Sequence, residues 1–405
     1  MRISTNTIFE MGSRQIGELQ VGLAKTQQQI STNRRILSPA DDPVAAAAAL
    51  GMDQALSINE QFATNRSNAK SALSEEESTL QSVTSLMQSV KDVTVGAGNG
   101  ALDDEQRKMY ITQLRSNFDE LLGLANSRDS SGNYIFSGYQ TSSKPFSIST
   151  SGADYAGDQG QRMLQVGAAR QLAVSDSGSA VFEGSFTGNG HFVTAAGASN
   201  TGSGLISIGS VFDLADLTGH DYVVTFSIDA TTGATTYLVT ETPVPAIPET
   251  SQPYVSGQPI KFGGMQFDIT GSPADTDTFS VKSSTNQNVF TTITDLIATL
   301  SVSGLGSLGQ TRLANKLATA NNNLTNALDN ISSVRASVGS RLKEIDNLDS
   351  AGSDLKIQYT KTLSDLQDID PVEAYSRFTQ QQYTLEAARQ SFVKIAGLSL
   401  FNMLN

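Results

Sequence analysis

A mainly helical chain with a β-rich domain inserted between its helical ends is the fold class this sequence predicts, and three observations predict it. Both ends carry apolar residues seven apart, the beat of helices that pair as coiled coils. The middle abandons that beat for apolar alternation, the period of strands. Glycine and proline punctuate the passages between the two patterns.

At the N-terminal end Ile16, Leu23, Ile30 and Leu37 fall seven apart, with Leu19 and Thr26 offset by three. The stripe is narrow, so it asks for a partner helix and not for a broad core. Ser38-Pro39 disfavours helix immediately before it, which puts the end of this first helix near Leu37. Asp42 is placed to cap the next helix, with Pro43 at its first position and the alanines Ala45 to Ala49 behind. That helix keeps its beat through Leu73, Leu80 and Met87 until Gly96, Gly98 and Gly100 stop it. A third helix runs from about Asp103 to Ser127, where Ile111, Leu114, Phe118, Leu121 and Ala125 share one face.

From Asn133 to Val281 the chain is rich in Gly, Ser and Thr. Tyr134, Phe136 and Tyr139 are spaced to pack the base of a strand region. Tyr222, Val224, Phe226 and Ile228 alternate as one strand, and Thr231 to Ala234 turn the chain into the next at Thr235 to Thr240. Phe262-Gly263-Gly264-Met265 reads as a two-residue hairpin that sets Phe262 opposite Met265 and Ile260 opposite Phe267. Pro243, Pro245 and Pro248 mark an edge or loop. The helical pattern returns near Asn288, pauses at Gly304 to Gly309, and resumes with Leu317, Leu324, Ile331, Val338 and Ile345 seven apart. After Asp370-Pro371 a last stripe runs through Phe378, Leu385 and Phe392, with Ala374, Ala388 and Ile395 offset. These shifts divide the chain into an N-terminal helix (1–40), a helical domain ending in strands (41–176), a β-rich domain (177–280), the helical return (281–368) and a C-terminal helix (369–405).

Composition excludes several classes. A hydrophobic content of 38% is enough for a sizeable core. A formal charge of -13 argues against a sequence-independent grip on nucleic acid or an anionic membrane, because both need clustered positive charge. No apolar run is long enough to insert in a bilayer, and the first residues lack the apolar stretch of a secretory signal. With no cysteine there is no disulfide or thiolate chemistry. Gly304 to Gly309 spells a dinucleotide fingerprint but follows helix where a strand must lead. His191 and His220 sit in separate turns without the close pairing a metal site prefers. Asp154 and Asp158 lack the further oxygen ligands of a calcium loop. No catalytic residue, metal or cofactor is expected.

The segment from Ile30 to Ala46, ISTNRRILSPADDPVAA, resembles the N-terminal signature of the bacterial flagellin superfamily. Flagellins usually carry Ala-Ala-Gly after the paired aspartates, whereas Asp42-Pro43-Val44-Ala45 here is similar to the hook-filament junction branch. Asn133 to Thr141, NYIFSGYQT, and the tail from Gln380 to Asn402 agree with it. The resemblance implies a structural, non-enzymatic subunit whose termini pair in a tube wall, inside a helical rod domain and an outer β domain. It implies Ile16, Leu19, Leu23, Ile30, Phe378, Leu385, Phe392 and Ile395 in that wall. Arg34, Arg35, Asp41, Asp42 and Pro43 would form the turn above it and touch neighbouring subunits. Leu398, Leu400, Phe401 and Leu404 would meet an export chaperone or the assembled wall. It further implies a homo-oligomer of about eleven copies, with the first hook-associated protein on one side and flagellin on the other. Export would follow the flagellar type III route without a cleaved signal, to the outside of the cell. A filament-forming flagellin, or more remotely a surface protein that binds or acts on glycans, are the alternatives.

Overall fold

The computed structural model describes residues 5–100, 102–242, 250–302 and 306–401. Pro243, Pro245 and Pro248, with Gly304 and Leu305 of the glycine-rich pause, lie outside the described residues. The helices are α1 (Thr5–Thr32), α2 (Pro43–Ala97), α3 (Asp104–Ala125), α4 (Val289–Leu300), α5 (Ser307–Gln367) and α6 (Pro371–Phe401). Strands fill the stretch between α3 and α4, so the fold class is the one the periodicities predict. The chain forms two compact units, Met1–Thr64 with Asn347–Asn405, and Asn65–Asp346.

In the first unit α1 packs against α6, and the start of α2 lies beside the end of α5. α1 ends at Thr32, not near Leu37. Asn33 adopts a left-handed φ of 52°, a conformation asparagine tolerates and helices commonly use to stop. The Ser38-Pro39 signal is real but acts one turn too late. Asp42 caps α2 as its spacing predicts, its Oδ1 accepting the Ala45 N–H at 3.0 Å. Asp370 does the same for α6, accepting from Val372 at 2.8 Å and Glu373 at 3.2 Å.

In the second unit α2 and α5 run antiparallel: Arg335 meets Glu77, Lys91 Nζ meets Thr325 Oγ1 at 2.9 Å, and Gln310 Nε2 meets the Gly100 carbonyl at 3.0 Å. The seven-residue series Leu317 to Ile345 is buried along its whole length, as are Leu73, Leu80 and Met87. Each such side chain contributes about 2 kcal/mol by leaving water. A capping box between Asp103 and Gln106 starts α3. Beside it, Phe290 of α4 stacks with Phe146 and Phe182 under the small hairpin of Phe146–Ser149 and Gly152–Tyr155.

The chain enters the outer β domain through Ser185–Phe186 and leaves it through Asn286–Gln287, and these two short strands pair antiparallel. One sheet of the domain runs in the order Gln252–Pro253, Thr235–Thr242, Asp221–Ile228, Thr278–Ser283, Phe192–Ala196. A second is built on the hairpin Pro259–Phe262 and Met265–Thr270. Its turn has Gly263 and Gly264 at φ of 50° and 74°, and its register sets Phe262 opposite Met265 and Ile260 opposite Phe267. Tyr222, Val224 and Phe226 from the first sheet and Ile260, Phe267 and Ile269 from the second share one buried core. α5 grips this domain with asparagines. Asn323 Oδ1 accepts the Gly188 N–H at 3.0 Å, Asn326 donates to the Phe186 and Gly188 carbonyls, and Asn315 brackets Gly204 and Ile206.

Candidate functional site

The terminal helices meet in an antiparallel seam. The Phe9 and Phe392 rings lie 4.9 Å apart, Gly22 faces Gln381, and the Asn33 carbonyl accepts the Ile369 N–H at 3.3 Å. Residues at alternating steps of four and three line it from α1: Gly12, Ile16, Leu19, Leu23, Thr26 and Ile30. Ala374, Phe378, Gln381, Leu385, Ala388 and Phe392 answer from α6. All are buried or half-buried, which is the pattern of a two-helix coil. A Cβ on Gly12 would fall 2.7 Å from Phe392 Cδ2, so the missing side chain is what lets that ring in. At the centre the seam turns polar. Gln381 Oε1 is buried without a hydrogen-bond partner, and the Thr26 hydroxyl bonds back to the Gly22 carbonyl at 3.1 Å.

Beyond Asn33 the chain folds into a tight, charged turn. Arg35 donates its backbone N–H to the Gln367 carbonyl at 2.6 Å and its guanidinium to the Leu366 carbonyl at 2.7 Å. The buried Gln29 closes the turn from below, donating to the Arg35 carbonyl at 2.6 Å. Asp41 accepts from the Leu37 and Ser38 N–H groups at 3.0 Å each and pairs with Lys25 at 2.5 Å. The Lys25 ammonium first, then those two amides, bring its carboxyl down to about 2. Asp42 caps α2 and stands 3.5 Å from the Arg35 guanidinium. Pro43 fills the first helical position, where no N–H is needed.

Residues 3–141 match the bacterial flagellin N-terminal helical region. Over 404 residues the chain is 29% identical to flagellar hook-associated protein 3 of Salmonella typhimurium, covering 100% of this chain and 99% of that protein. The crystal structure of the flagellar junction protein FlgL from Legionella pneumophila aligns at 29% identity and a TM-score of 0.72, over 79% of this chain and 100% of its own. Another Legionella pneumophila crystal structure, of flagellar hook associated protein-3, aligns at 30% identity and a TM-score of 0.74, over 78% of this chain and 98% of that one. The chain belongs to the flagellar hook-associated protein 3 family.

Membership in the hook-associated protein 3 family gives the seam and the turn a context. Ile16, Leu19, Leu23, Ile30, Phe378, Leu385 and Phe392 are brought together in the α1–α6 seam, whereas Ile395 is 53% exposed. Arg35, Asp41 and Asp42 are engaged within the chain, and among the described residues the Arg34 side chain makes no hydrogen bond or ion pair. Leu398, Leu400 and Phe401 sit on the last turns of α6 with side chains outside the described set, and Leu404 lies outside the described residues. Reading the beat missed Lys25 and Gln29, which hold the turn. It also missed the apolar residues turned to water on the same unit: Val21, Val44, Val372, Tyr375 and Tyr383. Tyr375 and Tyr383 line a shallow groove on α6 with Thr379 between them. The available signal was their being apolar while off the beat. Among the described residues no group of three or more His, Cys, Asp or Glu could hold a metal ion, and no helix is long and apolar enough to cross a membrane. His220 Nδ1 meets the buried Glu241 carboxylate at 2.6 Å.

Proposed function

We propose that this chain is the structural subunit that joins the flagellar hook to the filament, polymerising through its terminal helices. The observation that carries the reading is the length of the match: the likeness to flagellar hook-associated protein 3 runs through the strand region as well as both helical ends. A filament-forming flagellin would share the ends and part company in the middle. In this reading copies of the α1–α6 pair stand side by side as the wall of a tube. The faces bearing Val21, Val372, Tyr375 and Tyr383 meet neighbours, because apolar side chains left in water are what such contacts bury. Ile395 joins them at the far end of α6. Arg34 is the charge in the turn left for a neighbour. The division at 1–40, 41–176, 177–280, 281–368 and 369–405 then follows function: wall, rod, outer domain, rod, wall.

The partners belong to the same proposal: further copies of the chain, about eleven to a ring, the first hook-associated protein on the hook side and flagellin on the other. Delivery is by the flagellar type III apparatus, with a chaperone holding Leu398, Leu400, Phe401 and Leu404. Nucleic acid and lipid have no place in it. Deleting the gene and imaging the cells tests the reading. Hooks without filaments, with flagellin unpolymerised in the medium, are the expected result. Normal filaments would overturn it.

A further inference from the structure

Three glutamates stand in a row on α2, and they do not share a fate. Glu75 accepts the Ser130 N–H and Glu77 pairs with Arg335. Glu76, between Leu73 and Leu80 on the buried stripe, is fully enclosed. Its Oε1 accepts the backbone N–H of Asp176 at 3.0 Å, while its Oε2 is buried with no hydrogen-bond partner. The Asp176 carboxyl is also buried, and the bond from its own backbone N–H sets this residue beside Glu76. It takes the Arg341 guanidinium from α5 and the Gln161 amide at 2.7 Å. Arg341 donates as well to the Ala173 carbonyl at 3.1 Å. The remaining charges around the site are occupied elsewhere: Arg335 with Glu77, and Arg162 with the Ser175 hydroxyl and Asp129.

Two carboxylates facing one guanidinium would leave an uncompensated negative charge in the interior, which is more costly than sharing a proton between the two acids. A proton on Oε2 removes both faults at once, because it cancels the charge and turns the orphan acceptor into a donor. We propose that Glu76 keeps its proton in the folded protein at neutral pH and donates it to Asp176, so that residues 174–178 are latched to α2 and α5. That segment is the crossing from the strand pair Met163–Gly167 and Arg170–Ala173 to the outer β domain. Burial first, then the Asp176 charge, push the Glu76 carboxyl up to about 8 against the opposing pull of Arg341. Because the folded chain holds this proton more tightly than the unfolded chain, the latch contributes fully below 4.5. Its contribution falls as pH climbs from there to about 8 and is constant above.

Glu76→Gln tests the latch, since the amide presents a donor to Asp176 and an acceptor to its N–H without titrating. The expected result is a Tm advantage of the variant over the parent that widens from pH 5 to pH 8 and then levels, with the protection of the residue 174–178 amides, relative to their intrinsic exchange rates, falling above pH 8 in the parent alone. Parallel Tm–pH curves would overturn the proposal. A second measurement stands if the variant does not fold: infrared spectra of the unaltered protein should show a protonated carboxyl stretch at pH 7 that is lost by pH 9. Its absence at pH 7 would equally overturn the latch.

Discussion

Asp41 shows how one side chain can be spent locally in a segment that looks built for contact. The paired aspartates and paired arginines suggest a charged surface offered to neighbours, yet Asp41 faces two backbone amides and Lys25 of its own chain. Exposed ion pairs contribute little alone, but an acceptor that satisfies two turn amides also fixes the backbone. Its carboxyl lies at about 2 in the folded chain against 3.8 unfolded. A depressed acid contributes stability that is present above 3.8 and lost as pH falls through 2. Asp41→Asn should therefore lower Tm at pH 7, where the parent is ionised, with the gap closing as pH falls through 2. Thermal circular dichroism across this range checks this, and a gap that persists in acid would assign the loss to packing. Arg34, in the same turn, makes no side-chain hydrogen bond or ion pair among the described residues, so its proposed role is one to test in assembly and not in folding.

Among the elements, α5 does two jobs with one helix, and only one of them has a periodic signature. Leu317 to Ile345 repeat every seven residues, so their burial against the rest of the helical core could be read in advance. The hairpin at Gly263-Gly264 was as legible, because two consecutive positive φ values fix both turn and register. Asn315, Asn323 and Asn326 were not, since asparagine on a helix obeys no period and their partners lie more than a hundred residues away in sequence. The end of α1 failed differently: Asn33 stopped the helix through its own backbone before proline had anything to stop. The asparagine grip has a measurable worth. Asn323→Ala leaves the buried Gly188 N–H without its acceptor and frees Gln287, a loss of about 2 kcal/mol for an unpaired buried donor. Urea unfolding should show that loss, with hydrogen exchange rising first at residues 185–188 and 286–287. Protection unchanged there would mean that the strand pair alone holds the neck.

For the whole molecule, the terminal unit presents two apolar surfaces of different meaning, and stability separates them. The seam is consumed inside the chain, so Leu385, 7% exposed, answers to folding. Val372 and Tyr383, 81% and 71% exposed, bury little of their side chains within one copy. The sequence could not sort these groups, because a heptad identifies a helix pair without saying whether both helices belong to one chain. Truncating Leu385 to Ala should cost about 3 kcal/mol in the isolated protein by opening the seam. Replacing Val372 and Tyr383 together with Ser should leave the Tm of the isolated protein within about 1 °C, because a surface change removes little that folding had gained. If these faces meet neighbours as proposed, the same double variant in cells should abolish swimming and release flagellin into the medium, because each missing contact would recur at every copy. Retained motility with an unchanged Tm would remove these two residues from the subunit contact. A collapse of Tm would instead show that they support the chain they belong to, and would shift the contact surface toward Val21 and the turn at Arg34.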